Sequence, residues 1–143
     1  MLYIEMGNSD NVGHNDLIFE LEGLVPRSIF DTYWLMLGEL EWTIDARRNA
    51  IIKLMDSWLT SLKSFDSQKE SAYLVVDISD QYIGCVKVTK ASQFFVLEYG
   101  FSEQGRNGDD ITEFTVTSDS KAVKHEDFVS SINKQISKLR CTG

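Results

Sequence analysis

Three runs rich in β-branched and aromatic residues, Ala72–Ile78, Tyr82–Thr89 and Gln93–Phe101, are separated by only Ser79-Asp80-Gln81 and Lys90-Ala91-Ser92. Connections this short admit antiparallel hairpins and exclude parallel strands, which need a crossover of about a dozen residues or more. A fourth run, Ile111–Ser118, follows the longer connection 102–110, whose two glycines, Asn-Gly pair and charged residues predict a turn-rich loop projecting into water. The centre of the chain therefore reads as an antiparallel meander of four strands.

Two helical patterns flank the meander. Ile51, Leu54, Met55, Trp58, Leu62 and Phe65 recur every three or four residues between about Ala46 and Phe65, and make one apolar stripe. Arg47, Arg48, Lys53, Asp56 and Lys63 are expected largely off it. Such a stripe is how a helix docks on a sheet, so Met55 and Trp58 are expected in the core. A closing helix from about His125 to Arg140 puts Phe128, Val129, Ile132, Ile136 and Leu139 on one face. Its acids Glu126 and Asp127 come first and its bases Lys134, Lys138 and Arg140 last, which matches the helix dipole.

The N-terminal third is less regular. Strands are predicted at Leu2–Met6 and Leu17–Glu22, with a polar loop between them. After Pro26, Ser28 and Asp31 have the spacing of a capping box, and Ile29, Phe30, Tyr33, Trp34 and Leu37 fall at helical spacing up to Gly38. Glu39 to Asp45 alternates polar and apolar and reads as a short strand, with a helix continuing through Leu40 as the competing reading. The expected fold is thus α+β, a single domain over residues 1–143, with an antiparallel meander of four or more strands and about three helices over one face. The length suffices to bury a core without staples.

No apolar run approaches the roughly 20 residues of a membrane span. The opening Met1-Leu2-Tyr3-Ile4-Glu5 lacks the basic and apolar regions of a signal peptide. With only Cys85 and Cys141, no disulfide framework is expected, and a reducing cytoplasm is the default location.

Catalytic and cofactor patterns are missing from the sequence. There is no G-x-G-x-x-G, no G-x-x-x-x-G-K-[ST], no G-x-S-x-G, no C-x-x-C and no H-x-x-x-H. His125, Glu126 and Asp127 are consecutive, so on a helix they diverge and do not converge on an ion. Cys85, between Gly84 and Val86, reads as a small buried hydrophobe. Paired carboxylates are the one enzymatic option: Glu39 with Glu41, on one face of the expected strand, and Asp109 with Asp110 near Glu103 and Glu113. Neither pair has the apolar surroundings that raise a carboxyl pKa, so no enzyme, cofactor or metal is expected.

The net charge of −8 is concentrated. Residues 1–45 carry nine acids against the single cation Arg27, whereas acids and bases cancel in the remainder. That distribution disfavours nucleic acid and anionic membranes and suits a basic protein partner. Trp42 beside Glu41, and Tyr33 and Trp34 beside Asp31, have the composition of an interface anchor in a charged rim, with core packing as the competing reading for both tryptophans and the preferred one for Trp34. The expected partner-binding residues are Asp31, Glu39, Glu41, Trp42 and Asp45, with Glu103, Asp109, Asp110 and Glu113.

In architecture and charge the whole chain resembles the immunity proteins of bacterial polymorphic and contact-dependent toxin systems. The resemblance lies in a short acidic chain, an aromatic-rich meander, an acidic turn-rich loop and the closing helix Glu126-Asp127-Phe128-Val129-Ser130-Ser131-Ile132. It implies binding to a co-encoded toxin domain, often a basic nuclease, whose active site or substrate groove would be blocked by acids standing in for phosphates. The alternative is a small-ligand-binding or catalytic domain with a pocket between the meander and the long helix.

Overall fold

The structure is a computed structural model that describes residues 1–7, 13–65, 70–104 and 110–141. Strands β1 (Leu2–Met6), β2 (Leu17–Leu21) and β3 (Val25–Phe30) form a three-stranded antiparallel sheet in that order. Helix α1 spans Ile44–Lys63. The meander follows as β4 (Ser71–Ile78), β5 (Ile83–Ala91), β6 (Phe94–Ser102) and the two-residue β7 (Thr115–Val116). Strand β8 (Lys121–Lys124) returns to pair with β6, and helix α2 (His125–Cys141) closes the chain. The fold class is α+β with antiparallel sheets of three and five strands.

One core joins these layers. The stripe of α1 (Ile51, Met55, Trp58, Leu62) and that of α2 (Phe128, Ile132, Ile136, Leu139) are buried with Leu74, Val76, Val86, Val88, Phe95 and Leu97 of the larger sheet. Leu2, Ile4, Leu17, Phe19 and Leu21 of the smaller sheet complete the same cluster. The edge of β1 is covered by α2: Ser131 Oγ accepts the Leu2 N–H at 2.9 Å and Gln135 Oε1 the Ile4 N–H at 3.2 Å. Two donors that would otherwise form an open sheet edge are thereby satisfied.

The opposite face of the larger sheet has its own small cluster of Val75, Ile83, Cys85 and Ile111, with Trp34 and Phe114 packed on it. Here Gly100 is required, because a Cβ would lie 2.0 Å from the Thr115 carbonyl oxygen where β7 crosses. A register shift between Val75 and Asp77 bulges β4, and the indole of Trp58 donates to the Val75 carbonyl at 2.9 Å. The bulge brings Asp77 opposite Gly84, beside Tyr99.

Several expectations are corrected. The helix expected after Pro26 is the strand β3, because the turn at Gly23 (φ +78°) folds Val25–Phe30 back onto β2. Only Tyr33–Leu35 is helical there, as one 3₁₀ turn, so two α-helices are present among the described residues and not three. Residues 39–43 are neither strand nor helix, and α1 starts at Ile44 behind an N-cap, with Thr43 Oγ1 accepting the Ala46 N–H at 3.1 Å. Of the run Ile111–Ser118 only Thr115–Val116 is strand, since Ile111 and Phe114 turn inward to cover the sheet. Arg47, expected off the α1 stripe, is buried.

Candidate interaction surface

The segment between Thr32 and Arg47 leaves the body of the protein and comes back to it. It starts as the 3₁₀ turn, puts Met36 fully inside, and reverses at Gly38, whose φ of +93° suits glycine. Around that reversal three apolar side chains face water: Leu37 is 70% exposed, Leu40 100% and Ile44 56%. Glu39 and Glu41 are exposed on either side of Leu40. Asp45 is exposed too, and its carboxylate accepts from Arg48 at 2.6 Å. A fully exposed leucine between two glutamates has no role in the core of this chain.

The expected residues are distributed unevenly over this surface. Trp42 is half-buried and packs over Gly13, where a Cβ would stand 2.8 Å from its ring, so it props the segment from below. The outward anchors are Leu37, Leu40 and Ile44. Asp31 is half-buried and engaged: it accepts the Asn15 N–H at 2.7 Å, and His14 lies 3.8 Å away, stacked on Tyr33. Glu103, Asp110 and Glu113 are exposed, and Asp109 lies outside the described residues. The two acidic segments meet through their apolar neighbours, since Trp34 from one and Ile111 and Phe114 from the other share the outer cluster of the larger sheet. Glu39 and Glu41 are not on a strand, so the shared-face argument for that pair no longer applies.

Two further acids belong to this region. Burial, and next the charge of Asp31, push the Asp77 carboxyl up to about 6, partly offset by a hydrogen bond from the Ile78 backbone. The Tyr33 hydroxyl is raised by burial and then by Asp80, Asp77 and Asp31. Asp31, Asp77 and Asp80 therefore build a negative field around Tyr33. In the sequence Asp77 is hidden at the end of an apolar strand run and Asp80 in a hairpin turn; only the polar break in that run marks them.

Beneath the segment lies a buried polar node. Asp16 is 1% exposed, and its Oδ2 accepts from Gly13 N at 3.0 Å, Thr32 Oγ1 at 2.7 Å and Arg47 Nη1 at 2.9 Å. Its Oδ1 accepts the Thr32 N–H at 3.1 Å. Loop, 3₁₀ entry and α1 converge on this one carboxylate.

Other regions offer less. The space between α1 and the larger sheet is filled by Ile51, Met55, Trp58 and Leu62. Open recesses lie at the surface: about 410 Å³ between Leu35, Glu39 and α1, about 500 Å³ beside Lys90 and Lys124, and about 700 Å³ between β3 and residues 116–119. His125 stacks on Phe95 at the start of α2. Burial pushes the Cys85 thiol up to about 12, so it stays protonated at neutral pH. Among the described residues no group of three or more His, Cys, Asp or Glu is placed to hold a metal ion, and no helix is long and apolar enough to cross a membrane. No protein-family profile, curated protein or solved structure matches the chain.

Proposed function

We propose that this chain is an acidic cytoplasmic inhibitor of the immunity type, which binds a basic, co-encoded toxin domain and is not itself an enzyme. The observation that carries the reading is Leu40, fully exposed between Glu39 and Glu41 with Leu37 and Ile44 exposed nearby. Apolar anchors inside a charged rim are the make-up of a protein interface, and exposing them in water gives the free protein nothing in return. The rim is acidic, and Asp31, Asp77 and Asp80 extend its field towards Tyr33. A cationic surface complements it, and a nuclease has such a surface because its groove binds phosphates.

Co-expression with the toxin domain encoded beside the gene tests the reading. Growth should be restored by the wild-type chain and lost again with Leu40→Asp, while the variant folds normally. Rescue by neither protein, or the lack of an adjoining toxin gene, would overturn the assignment.

A further inference from the structure

The exposed segment is long, and little of it is regular secondary structure, yet both its ends reach the same buried atom group. Thr32 lies immediately before the 3₁₀ turn and Arg47 in the first turns of α1, and both hydrogen-bond to the Asp16 carboxylate. Gly13, whose N–H also binds Asp16, is the residue on which Trp42 rests, and its carbonyl accepts the Thr32 and Tyr33 N–H groups, each at 3.0 Å. The start, middle and end of the segment therefore all refer to Asp16. We propose that Asp16 is a positioning residue, which holds residues 33–46 in a preformed, binding-ready shape by tying Thr32 to Arg47.

The physical case rests on alternatives. Met36 is buried and Trp42 rests on Gly13, but Leu37, Leu40 and Ile44 face water and add little that would fix the stretch between them, so without a further tether it would sample many conformations. Ordering those conformations on binding would then subtract from affinity. A buried carboxylate with four donors is a rigid tether, because each displaced donor leaves a desolvated oxygen unpaired. The charge is compensated as well: the Arg47 side chain is 8% exposed, and Asp16 is its ion-pair partner at 2.9 Å. A buried ion pair contributes little net stability compared with an apolar pair of the same shape. What it does supply is a fixed geometry between chain positions 31 residues apart.

This inference rests on the reading of the segment as the interface, and the experiment separates the two. The double variant Asp16→Asn with Arg47→Met removes the pair without stranding a charge. Thr32→Val is the milder cut, removing one hydroxyl donor, and Thr32→Ser restores that donor. Hydrogen exchange of amides 33–46 is measured in the free proteins against α2 as an internal reference. Association with the toxin domain encoded beside the gene is measured in parallel, with the charge-reversal pair Glu39→Lys and Glu41→Lys as the control. The expected result is faster exchange confined to 33–46 in the double variant and in Thr32→Val, near wild-type exchange in Thr32→Ser, and affinity weaker by about tenfold in the double variant. Unchanged exchange of 33–46 overturns the positioning role. So does faster exchange with unchanged affinity, provided the charge-reversal control weakens binding. If the control binds as wild type does, the interface reading fails and the inference falls with it.

Discussion

The stripe of α1 and the segment that leads into it contain similar residues put to opposite uses. In α1, Ile51, Met55, Trp58 and Leu62 are buried against two sheets and α2. A few residues earlier, Leu37, Leu40 and Ile44 point into water. Hydrophobic burial fixes the first region. The second is held by the buried Met36, by a polar node at Asp16 and by Trp42 seated on Gly13. The contrast teaches that apolar content alone does not locate a core; what surrounds the anchors decides whether they are inside or on offer. A surface built on a polar tether keeps its apolar side chains free for a partner.

The largest effect should come from the buried side. Trp58→Ala empties a large core site and leaves the Val75 carbonyl at the bulge without its indole donor, so chemical denaturation should show a loss of about 4 kcal/mol. A loss below about 1 kcal/mol would mean that α1 is not held by its stripe, and the contrast would collapse.

A smaller effect, of opposite sign, is expected at Asp77, next to the candidate surface. Its folded pKa of about 6 lies above the ordinary 3.8, so the folded protein binds the proton more tightly than the unfolded chain does. Its contribution is therefore best at low pH and is lost as pH rises through that window. Asp77→Asn keeps an acceptor for the Ile78 backbone and removes the charge. At pH 7.5 the variant should be more stable than wild type by about 1 kcal/mol, a figure discounted for the partial exposure of the site. That advantage should shrink to nothing as pH falls below roughly 4. Denaturation curves of both proteins across pH check it; a constant difference would place the carboxyl in water, remote from Asp31.

The smallest effect on folding should be at Leu40. With its side chain fully exposed, Leu40→Ser should change stability by no more than about 0.5 kcal/mol. A loss of 2 kcal/mol in the same denaturation assay would show that Leu40 packs on something, and the two regions would then differ only in degree.

The sequence discloses these regions to different degrees, for physical reasons. The α1 and α2 stripes, the strands β1 and β2 and the three hairpin-linked runs of the meander are periodic and locally encoded, and they lie where the patterns put them. Strand β3 was hidden because Ile29, Phe30, Tyr33, Trp34 and Leu37 fall at helical spacing by composition, while pairing with β2 is a long-range fact. Strand β8 has four residues, two of them lysines, and its strand character comes from the edge of β6. The acids Glu39, Glu41 and Asp45 were visible as charge, and they are exposed. The outward leucines were not, since Leu37 reads as part of a helix face and Leu40 as part of a strand or of that helix continued. Asp16 and Arg47 had no local signature at all, because their partnership spans the fold and each looks alone like a surface charge.

If the Glu39–Leu40–Glu41 surface meets a basic partner, as proposed, the rate of association depends on its two carboxylates. Binding of wild type and of the pair Glu39→Lys with Glu41→Lys to the proposed partner, a basic toxin domain encoded beside the gene, is followed by stopped flow at rising salt. Screening acts over about 8–10 Å at these ionic strengths, so wild-type association should slow as salt increases. The reversed pair should associate on the order of tenfold more slowly at low salt, and the two rates should converge at high salt. Equal rates for both proteins at every salt concentration would contradict the account and leave the acids as a solubilising surface.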